Sequence, residues 1–545
     1  MKRALLAGLL LLAAAPAVAQ PAPAPGRPRL IVAISVDQFS ADLFAQYRQH
    51  FSGGLRRLSQ GMVFPAGYQS HAATETCPGH STILTGARPA RTGIVANNWF
   101  DQGAARADKY IYCSEDETIA GSTSENYTVS ARHLRVPTLG DLMHRADPRA
   151  RVVAVAGKDR AAIMMGGHTP DQRWWWDGRS FVSHAGVPAP AAVGAVNGRV
   201  VAALSRARDP LPLPALCESR SRPVAVPGRA SPVGTGRFAR EAGDRSAFRA
   251  SPDFDAAILS LASDFRESMR LGQGQSTDLL AIGLSATDYV GHTFGTGGSE
   301  MCIQLLALDR ALGDFFSGLD RDGIDYVVML TADHGGHDLP ERIAMQGDPS
   351  AARVDPALRA SAMGEALGRR LGLSGAILFG DGPFGDIYLD RALPARARPR
   401  VLAEALAAYR RHPQVEAVYT RAQIAATPSP SGPPDRWSLI ERARASFDPQ
   451  RSGDFYVMLK PRITPIADAS RGSVATHGSV WDYDRRVPIL FWRRGMAGFE
   501  QPLSVETVDI MPTLAGLIGL PLAPGSVDGR CLDLDAGPGT TCPRP

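Results

Sequence analysis

The chain has 545 residues, 44% of them hydrophobic and 21% charged, a globular balance with ample length for a sizeable core and against a disordered or coiled-coil chain. Its formal net charge is +5. Lys2 and Arg3 lie in a removable leader, which leaves about +3 scattered along the mature chain; that excludes the concentrated basic surface of a nucleic-acid binder, and no nucleic-acid partner is expected.

Residues 1–19 read as a signal peptide: Lys2 and Arg3 form the positive start, an apolar run follows, and Ala17-Val18-Ala19 is a cleavage signal placing the mature start near Gln20. The apolar run is too short to span a bilayer, and no later stretch reaches the roughly 18 apolar residues a span needs. An exported protein, periplasmic or secreted, is expected. Next comes Leu30–Val36 (LIVAISV), a short continuous apolar run of strand length, closed by Asp37. Thr74-Glu-Thr76-Cys-Pro78-Gly79-His80 opens a helical run, with Thr76 expected at the N-cap and Pro78 in the first turn. Asn97 follows as a further polar group in Val-Ala-Asn97-Asn98-Trp. Arg151–Ala156 (RVVAVA) reads as another strand, with Lys158 and Arg160 just beyond its end. Residues 167–250, rich in Pro, Gly, Ala and Arg, read as an inserted cap region. Trp174-Trp175-Trp176 within it are expected in a loop, either packed or walling the site.

Phe254–Met269 has a helical pattern, and Leu279–Leu284 (LLAIGL) is a third apolar strand, followed by Asp288 and His292. Ser299–Leu319 is again helical. Tyr326–Thr331 (YVVMLT) is a fourth strand, followed by Asp333-His334-Gly335-Gly336, where the glycines are expected to let the backbone turn tightly; His337 is expected as a loop residue. Residues 345–470 carry their own αβ pattern, including a helix at Arg398–Arg411, and read as a second inserted cap region. His477 lies in Ala-Thr-His-Gly-Ser, and Pro488–Trp492 looks like a further strand. Alternating strands and helices predict an α/β sandwich whose strands, covered on both faces, form a parallel sheet. Its catalytic domain spans 28–530, with a discontinuous core of about 28–165, 255–340 and 471–530 and a tail at 531–545. Of the six cysteines, Cys531–Cys542 is the favoured pair, then Cys113–Cys217, with Cys302 expected as a buried thiol.

Ligands in open parallel sheets bind beyond the carboxyl ends of the strands. Asp37, Asp288 and Asp333 each follow such an end, and carboxylates gathered there repel unless a cation lies between them. Asp288 and His292, four apart, share one face of a helix. A mixed oxygen and imidazole set suits zinc, with Mn or Fe as alternatives. Taken singly, each histidine reads as structural; taken together with the acids they read as ligands. A hydroxyl at a helix N-terminus faces backbone N–H groups that favour an anion, and a metal on it would make Thr76 a nucleophile. Lys158 and Arg160, after a strand end, can grip a phosphate, although an isolated K-x-R reads as solvated surface.

These motifs, in this order, resemble the alkaline phosphatase superfamily, and within it the exported, PafA-like phosphatases with a threonine nucleophile. The resemblance runs from residue 37 to residue 477 through T-C-P-G-H, N-N-W, K-D-R, D-x-x-x-H, D-H-G and H-G-S. It implies an alkaline-phosphatase-like sandwich, a mainly parallel central sheet between helices with inserted cap regions. It implies two Zn2+ per chain, one held by Asp288, His292 and His477, the other by Asp37, Asp333, His334 and the Thr76 hydroxyl; acidic loops leave room for additional Ca2+ or Mg2+. It further implies that Thr76 is phosphorylated and that Asn97, Lys158 and Arg160 grip the phosphoryl oxygens. Asn98 departs from relatives that carry an acid there. Two positive groups favour a dianionic monoester over a diester, so the expected activity is a phosphomonoesterase acting on small-molecule phosphate monoesters, as a monomer. The alternatives are a nucleotide phosphodiesterase or pyrophosphatase on the same fold, or a non-catalytic metal- or phosphate-binding protein. A sulfatase is disfavoured because no C-x-P-x-R motif occurs.

Overall fold

The computed structural model describes residues 26–543, so the expected leader at 1–19 lies outside the described residues. The strand Leu30–Val36 lies at the centre of the main sheet, with Asp278–Leu284 on one side and Tyr326–Thr331 on the other, both parallel to it. Val152–Ala156 pairs with Asp278–Leu284, and Gln172–Trp176 with Val152–Ala156, again in parallel. Arg486–Arg493 runs antiparallel between Tyr326–Thr331 and Met62–Tyr68. The run at Pro488–Trp492 is thus part of a strand, as its apolar character suggests, but its direction is opposite to that of the parallel set.

The continuous hydrophobicity of the central strands has a direct cause. Leu30, Val32, Ile34 and Val36 point to one face, where the helices Pro252–Ser268 and Ser299–Arg321 cover them. Ile31 and Ala33 point to the other, against Leu139 and Met143 of the helix Leu139–Ala146 and Ile510 and Leu514 of Ile510–Leu517. With both faces buried, no polar alternation survives.

The two inserted regions differ from each other. Within 167–250, the segment expected as the start of a cap is part of the sheet: Gln172–Trp176 is a strand, and Phe181–Val182 pairs with it antiparallel. All three tryptophans are buried. Trp174 stacks on Phe265, and Trp176 packs on Phe181, Phe248 and Phe254. They neither form a loop nor wall the site, because alternation along a strand sends them into the two cores. Residues 345–470, by contrast, contain a four-stranded sheet, Leu378–Phe379, Gly385–Leu389, Phe455–Leu459 and Val415–Thr420 in spatial order, with its own core around Ile387, Val401, Tyr409 and Phe455.

The disulfides are Cys77–Cys113, Cys217–Cys302 and Cys531–Cys542. The last is the expected pair; the pairing Cys113–Cys217 and the free Cys302 are not found. Cys302 lies on the buried face of Ser299–Arg321, and the turn Ala215–Arg220 carries Cys217 onto that helix, with Cα atoms 5.7 Å apart. Burial alone does not distinguish a thiol from a half-cystine. No helix among the described residues is long and apolar enough to cross a membrane.

Candidate active site and metal centre

The three acids meet as the strand order requires, since their strands are neighbours. Asp37 follows Leu30–Val36, Asp288 sits in the first turn of Ala286–Phe294 beyond Asp278–Leu284, and Asp333 follows Tyr326–Thr331. Two trios could each hold a metal ion: Asp288, His292 and His477, and Asp37, Asp333 and His334. Each imidazole is aimed by its backbone partner. Nδ1 of His292 bonds the carbonyl of Ala475, Nδ1 of His477 that of Thr74, and Nδ1 of His334 that of Gly335, at 2.8, 2.9 and 2.8 Å. The Nε2 atoms are thereby turned to the acids, at 3.2 Å from Asp288 Oδ1 for His292 and 3.4 Å from Asp37 Oδ1 for His334.

The donor set fits a cation. Asp37 Oδ1, Asp288 Oδ1, Asp333 Oδ2 and His334 Nε2 are all buried without a hydrogen bond, a cost that a divalent ion would offset. Burial, and then the negative charges of Asp288 and Asp333, push the Asp37 carboxyl well above its ordinary range. Burial opposes the charge on Asp288 as well, but the His292 imidazole and the Lys158 ammonium outweigh it and hold that carboxyl well below the usual range. Burial pushes the His334 imidazole down to about 3, the neutral form that ligates metals.

Thr76 is the first residue of the helix Thr76–Ile83; the N-cap is Glu75, one residue earlier than expected. The shift has a chemical consequence, because the Thr76 hydroxyl is not spent on capping. Its Oγ1 lies 3.4 Å from Lys158 Nζ and 3.5 Å from Arg160 Nη2. Lys158 itself bridges Asp37 and Asp288 at 2.5 and 2.6 Å. Burial disfavours its charge, but those two carboxylates prevail and raise its pKa, so the ammonium persists. Asn97 accepts the Cys77 N–H on Oδ1 at 2.8 Å, which leaves its Nδ2 donors for a ligand. The cavity here has a volume of about 340 Å³ and is lined by Thr76, Asn97, Arg160, His292 and His477, with Asp381, Phe384, Asp386 and Tyr456 contributed by the 345–470 region.

Close approaches hold this assembly. An added Cβ on Gly79 would meet the Asp333 backbone oxygen at 1.9 Å, so glycine lets the Thr76 helix touch the strand end. Gly335 and Gly336 act the same way, against Tyr483 O at 2.2 Å and the Gln38 side chain at 2.8 Å, rather than through a left-handed turn. His337 lies buried against Tyr483, with Nε2 3.2 Å from Thr464 Oγ1, and is not a member of either trio.

A family model described as type I phosphodiesterase/nucleotide pyrophosphatase matches residues 31–480. The chain belongs to this family, within the alkaline phosphatase superfamily. Among relatives of this family member, alkaline phosphatase PhoK of a Sphingomonas species is 60% identical over 519 residues, covering 94% of this chain and 92% of that protein. Alkaline phosphatase PhoD of Zymomonas mobilis subsp. mobilis is 49% identical over 520 residues, 94% of this chain and 89% of that protein. The crystal structure of alkaline phosphatase PafA matches with a TM-score of 0.81 at 25% identity, covering 93% of this chain and 99% of that one. The α/β fold, with its mainly parallel sheet between helices, is the fold of this superfamily.

Three neighbours of the site carry no assigned role in the sequence motifs of this superfamily member. His80 Nδ1 lies 3.0 Å from Asp333 Oδ2 and 2.9 Å from the Thr76 carbonyl; its position one helical turn after Thr76 was the available signal. Gln38 adopts φ of 65° directly after Asp37 and donates its backbone N–H to Asp333 Oδ1 at 3.2 Å. Glu75 accepts the Asn97 N–H at 2.6 Å. Nothing in the pattern around Gln38 or Glu75 marks them.

Proposed function

We propose that the protein is an exported, metal-dependent alkaline phosphatase that hydrolyses small phosphate monoesters through a phosphothreonine intermediate. The observation that carries this reading is the Thr76 hydroxyl, not spent on capping, within 3.5 Å of both Lys158 and Arg160 and beside two trios of acids and imidazoles, all buried except the half-buried His292. The naming of the 60% identical PhoK as an alkaline phosphatase supports it.

Asp288, His292 and His477 would hold one zinc, and Asp37, Asp333 and His334, with the Thr76 hydroxyl, the other. Bound there, the pair would lower the pKa of the hydroxyl and offset the charge on the departing oxygen. Thr76 Oγ1 attacks phosphorus in line, the ester P–O bond breaks, and the alcohol leaves. Water then attacks the phosphothreonine, the bond to Oγ1 breaks, and inorganic phosphate is released. Through both steps Asn97, Lys158 and Arg160 hold the non-bridging oxygens and orient them. Two cationic side chains match a dianionic monoester better than a singly charged diester, which favours a phosphomonoesterase over a nucleotide phosphodiesterase of the same family. Three disulfides suit an oxidising compartment.

The deciding experiment is hydrolysis of p-nitrophenyl phosphate by the purified protein and by Thr76→Ala, with metal content and thermal melting measured on both. The parent is expected to turn over and to contain zinc. Thr76→Ala is expected to lose activity on the order of 10⁴-fold with its melting unchanged. Retention of activity in the variant would refute the nucleophile.

A further inference from the structure

Asn98–Phe100 and Tyr110–Tyr112 pair as an antiparallel ribbon outside the central sheet. The ribbon is tied to the site from several sides. Cys113, directly after its second strand, is disulfide-bonded to Cys77, the residue after Thr76. The Cys113 N–H donates to the Asn97 carbonyl at 2.9 Å, and the Cys77 N–H to Asn97 Oδ1 at 2.8 Å. Tyr112 donates its hydroxyl proton to Asp159 Oδ1 at 2.8 Å and accepts from Arg160 Nη1 at 3.3 Å. One short element therefore touches both Asn97 and Arg160 and is covalently joined to the turn that carries Thr76.

We infer that this disulfide-tethered ribbon is the positioning element of the phosphate grip, with Tyr112, Cys77 and Cys113 holding Asn97 and Arg160 at fixed reach of Thr76. The inference rests on the roles proposed above for Thr76, Asn97 and Arg160. The physical need is plain. An arginine side chain loses considerable rotamer freedom when it is fixed, and a charged donor contributes most when it is already aimed before the transition state forms. Lys158 is aimed by Asp37 and Asp288 themselves. Arg160 and Asn97 do not touch those two acids: Arg160 leans on Tyr112 of the ribbon, and Asn97 is held by the Cys113 and Cys77 N–H groups, with Glu75 accepting its own N–H. Phe100 on the same ribbon stacks on Phe379 of the 345–470 region at 4.3 Å, so the ribbon is braced from outside as well. Tyr112, Cys77 and Cys113 are positioning residues; none is assigned a contact with substrate.

The test compares p-nitrophenyl phosphate with bis-p-nitrophenyl phosphate in four variants: Tyr112→Phe, Cys77→Ser with Cys113→Ser, Arg160→Ala, and Tyr112→Phe with Arg160→Ala. Tyr112→Phe is expected to lower monoester kcat/KM about tenfold, the weight of one charge-assisted hydrogen bond, and diester kcat/KM less than about threefold. The paired serine variant is expected to show the same preferential loss. On the Arg160→Ala background, Tyr112→Phe is expected to add no more than about twofold, because both act on one group. Equal losses on the two esters, multiplying losses in the combined variant, or an unchanged Tyr112→Phe would overturn the inference. Should the serine pair fail to fold, Tyr112→Phe and its combination with Arg160→Ala decide alone. If Arg160→Ala itself shows no preference for the monoester, the proposed role of Arg160 fails first, and the positioning claim falls with it.

Discussion

Asp37, Asp288 and Asp333 stand at the ends of three adjacent central strands, each fully buried along its length, and their imidazole partners are oriented by backbone carbonyls. Asn97 and Arg160 are held otherwise, by a peripheral ribbon, a disulfide and the hydroxyl of Tyr112. The half of the site proposed to hold metal is thus a by-product of sheet order: once the sheet forms, its acids converge. The half proposed to grip phosphate needs contacts between segments far apart in the chain and outside the main core. Lys158 joins the two halves, with its ammonium on two acids and within reach of Thr76.

Among the tests of this division, the largest expected effect breaks the metal half. Asp37→Asn keeps shape but removes a negative donor, and metal content is expected to fall from about two ions per chain to about one, with turnover lower on the order of 10³-fold. Elemental analysis beside a p-nitrophenyl phosphate assay checks both; unchanged metal content would show that Asp37 is not a ligand. Next comes the other half. Lys158→Ala with Arg160→Ala is expected to cut monoester kcat/KM by about 10²–10³-fold and diester kcat/KM at least tenfold less. Equal loss on the two substrates would make both side chains general supports of the site rather than readers of phosphate charge. A smaller effect tests the seam between the halves. Gly79→Ala would bring a methyl to 1.9 Å from the Asp333 backbone oxygen, so the Thr76 helix must move away from the strand end. A stability loss of about 1–3 kcal/mol is expected in denaturant melts, together with a lower kcat; a normal kcat would mean that the helix position is not critical.

The same division explains what the sequence revealed. Leu30–Val36 and Tyr326–Thr331 are strands with the bounds their apolar runs suggest, because burial on both faces leaves an uninterrupted signal. The acids after them were legible for the same reason, as was the shared helical face of Asp288 and His292. The direction of Arg486–Arg493 was not, since an apolar strand reads alike in parallel and antiparallel pairing. Neither was the place of Trp174, Trp175 and Trp176, where a Pro- and Gly-rich neighbourhood masked a sheet strand. The pairing Cys77–Cys113 depends on the ribbon's fold, and no local pattern encodes it. The N-cap at Glu75 rather than Thr76 is a one-residue difference that decides whether the hydroxyl is free.

The smallest expected effect concerns a buried acid beneath the metal half that takes no part in the proposed chemistry. Asp255, on the helix Pro252–Ser268, accepts the N–H of Ala286, two residues before Asp288, at 2.9 Å and a Gln304 Nε2–H at 2.9 Å. Burial pushes its carboxyl up from 3.8 to about 7. The folded protein therefore holds a proton there that the unfolded chain releases near pH 4. The stability this contributes is fully present below about pH 4 and is lost as pH rises through about 7. Asp255→Asn removes the ionisation, and its Oδ1 can still accept from Ala286. The Gln304 Oε1, buried and without a partner, can turn to accept from the new amide. The variant is expected to be more stable than the parent by about 1–3 kcal/mol at pH 8 relative to their difference at pH 5, read as the change in melting between the two pH values. A difference that does not change with pH would mean that Asp255 is already ionised in the folded state at pH 5. In that case the support beneath Asp288 would be a charged one, and the sheet half of the site would owe more to electrostatics than its strand order alone supplies.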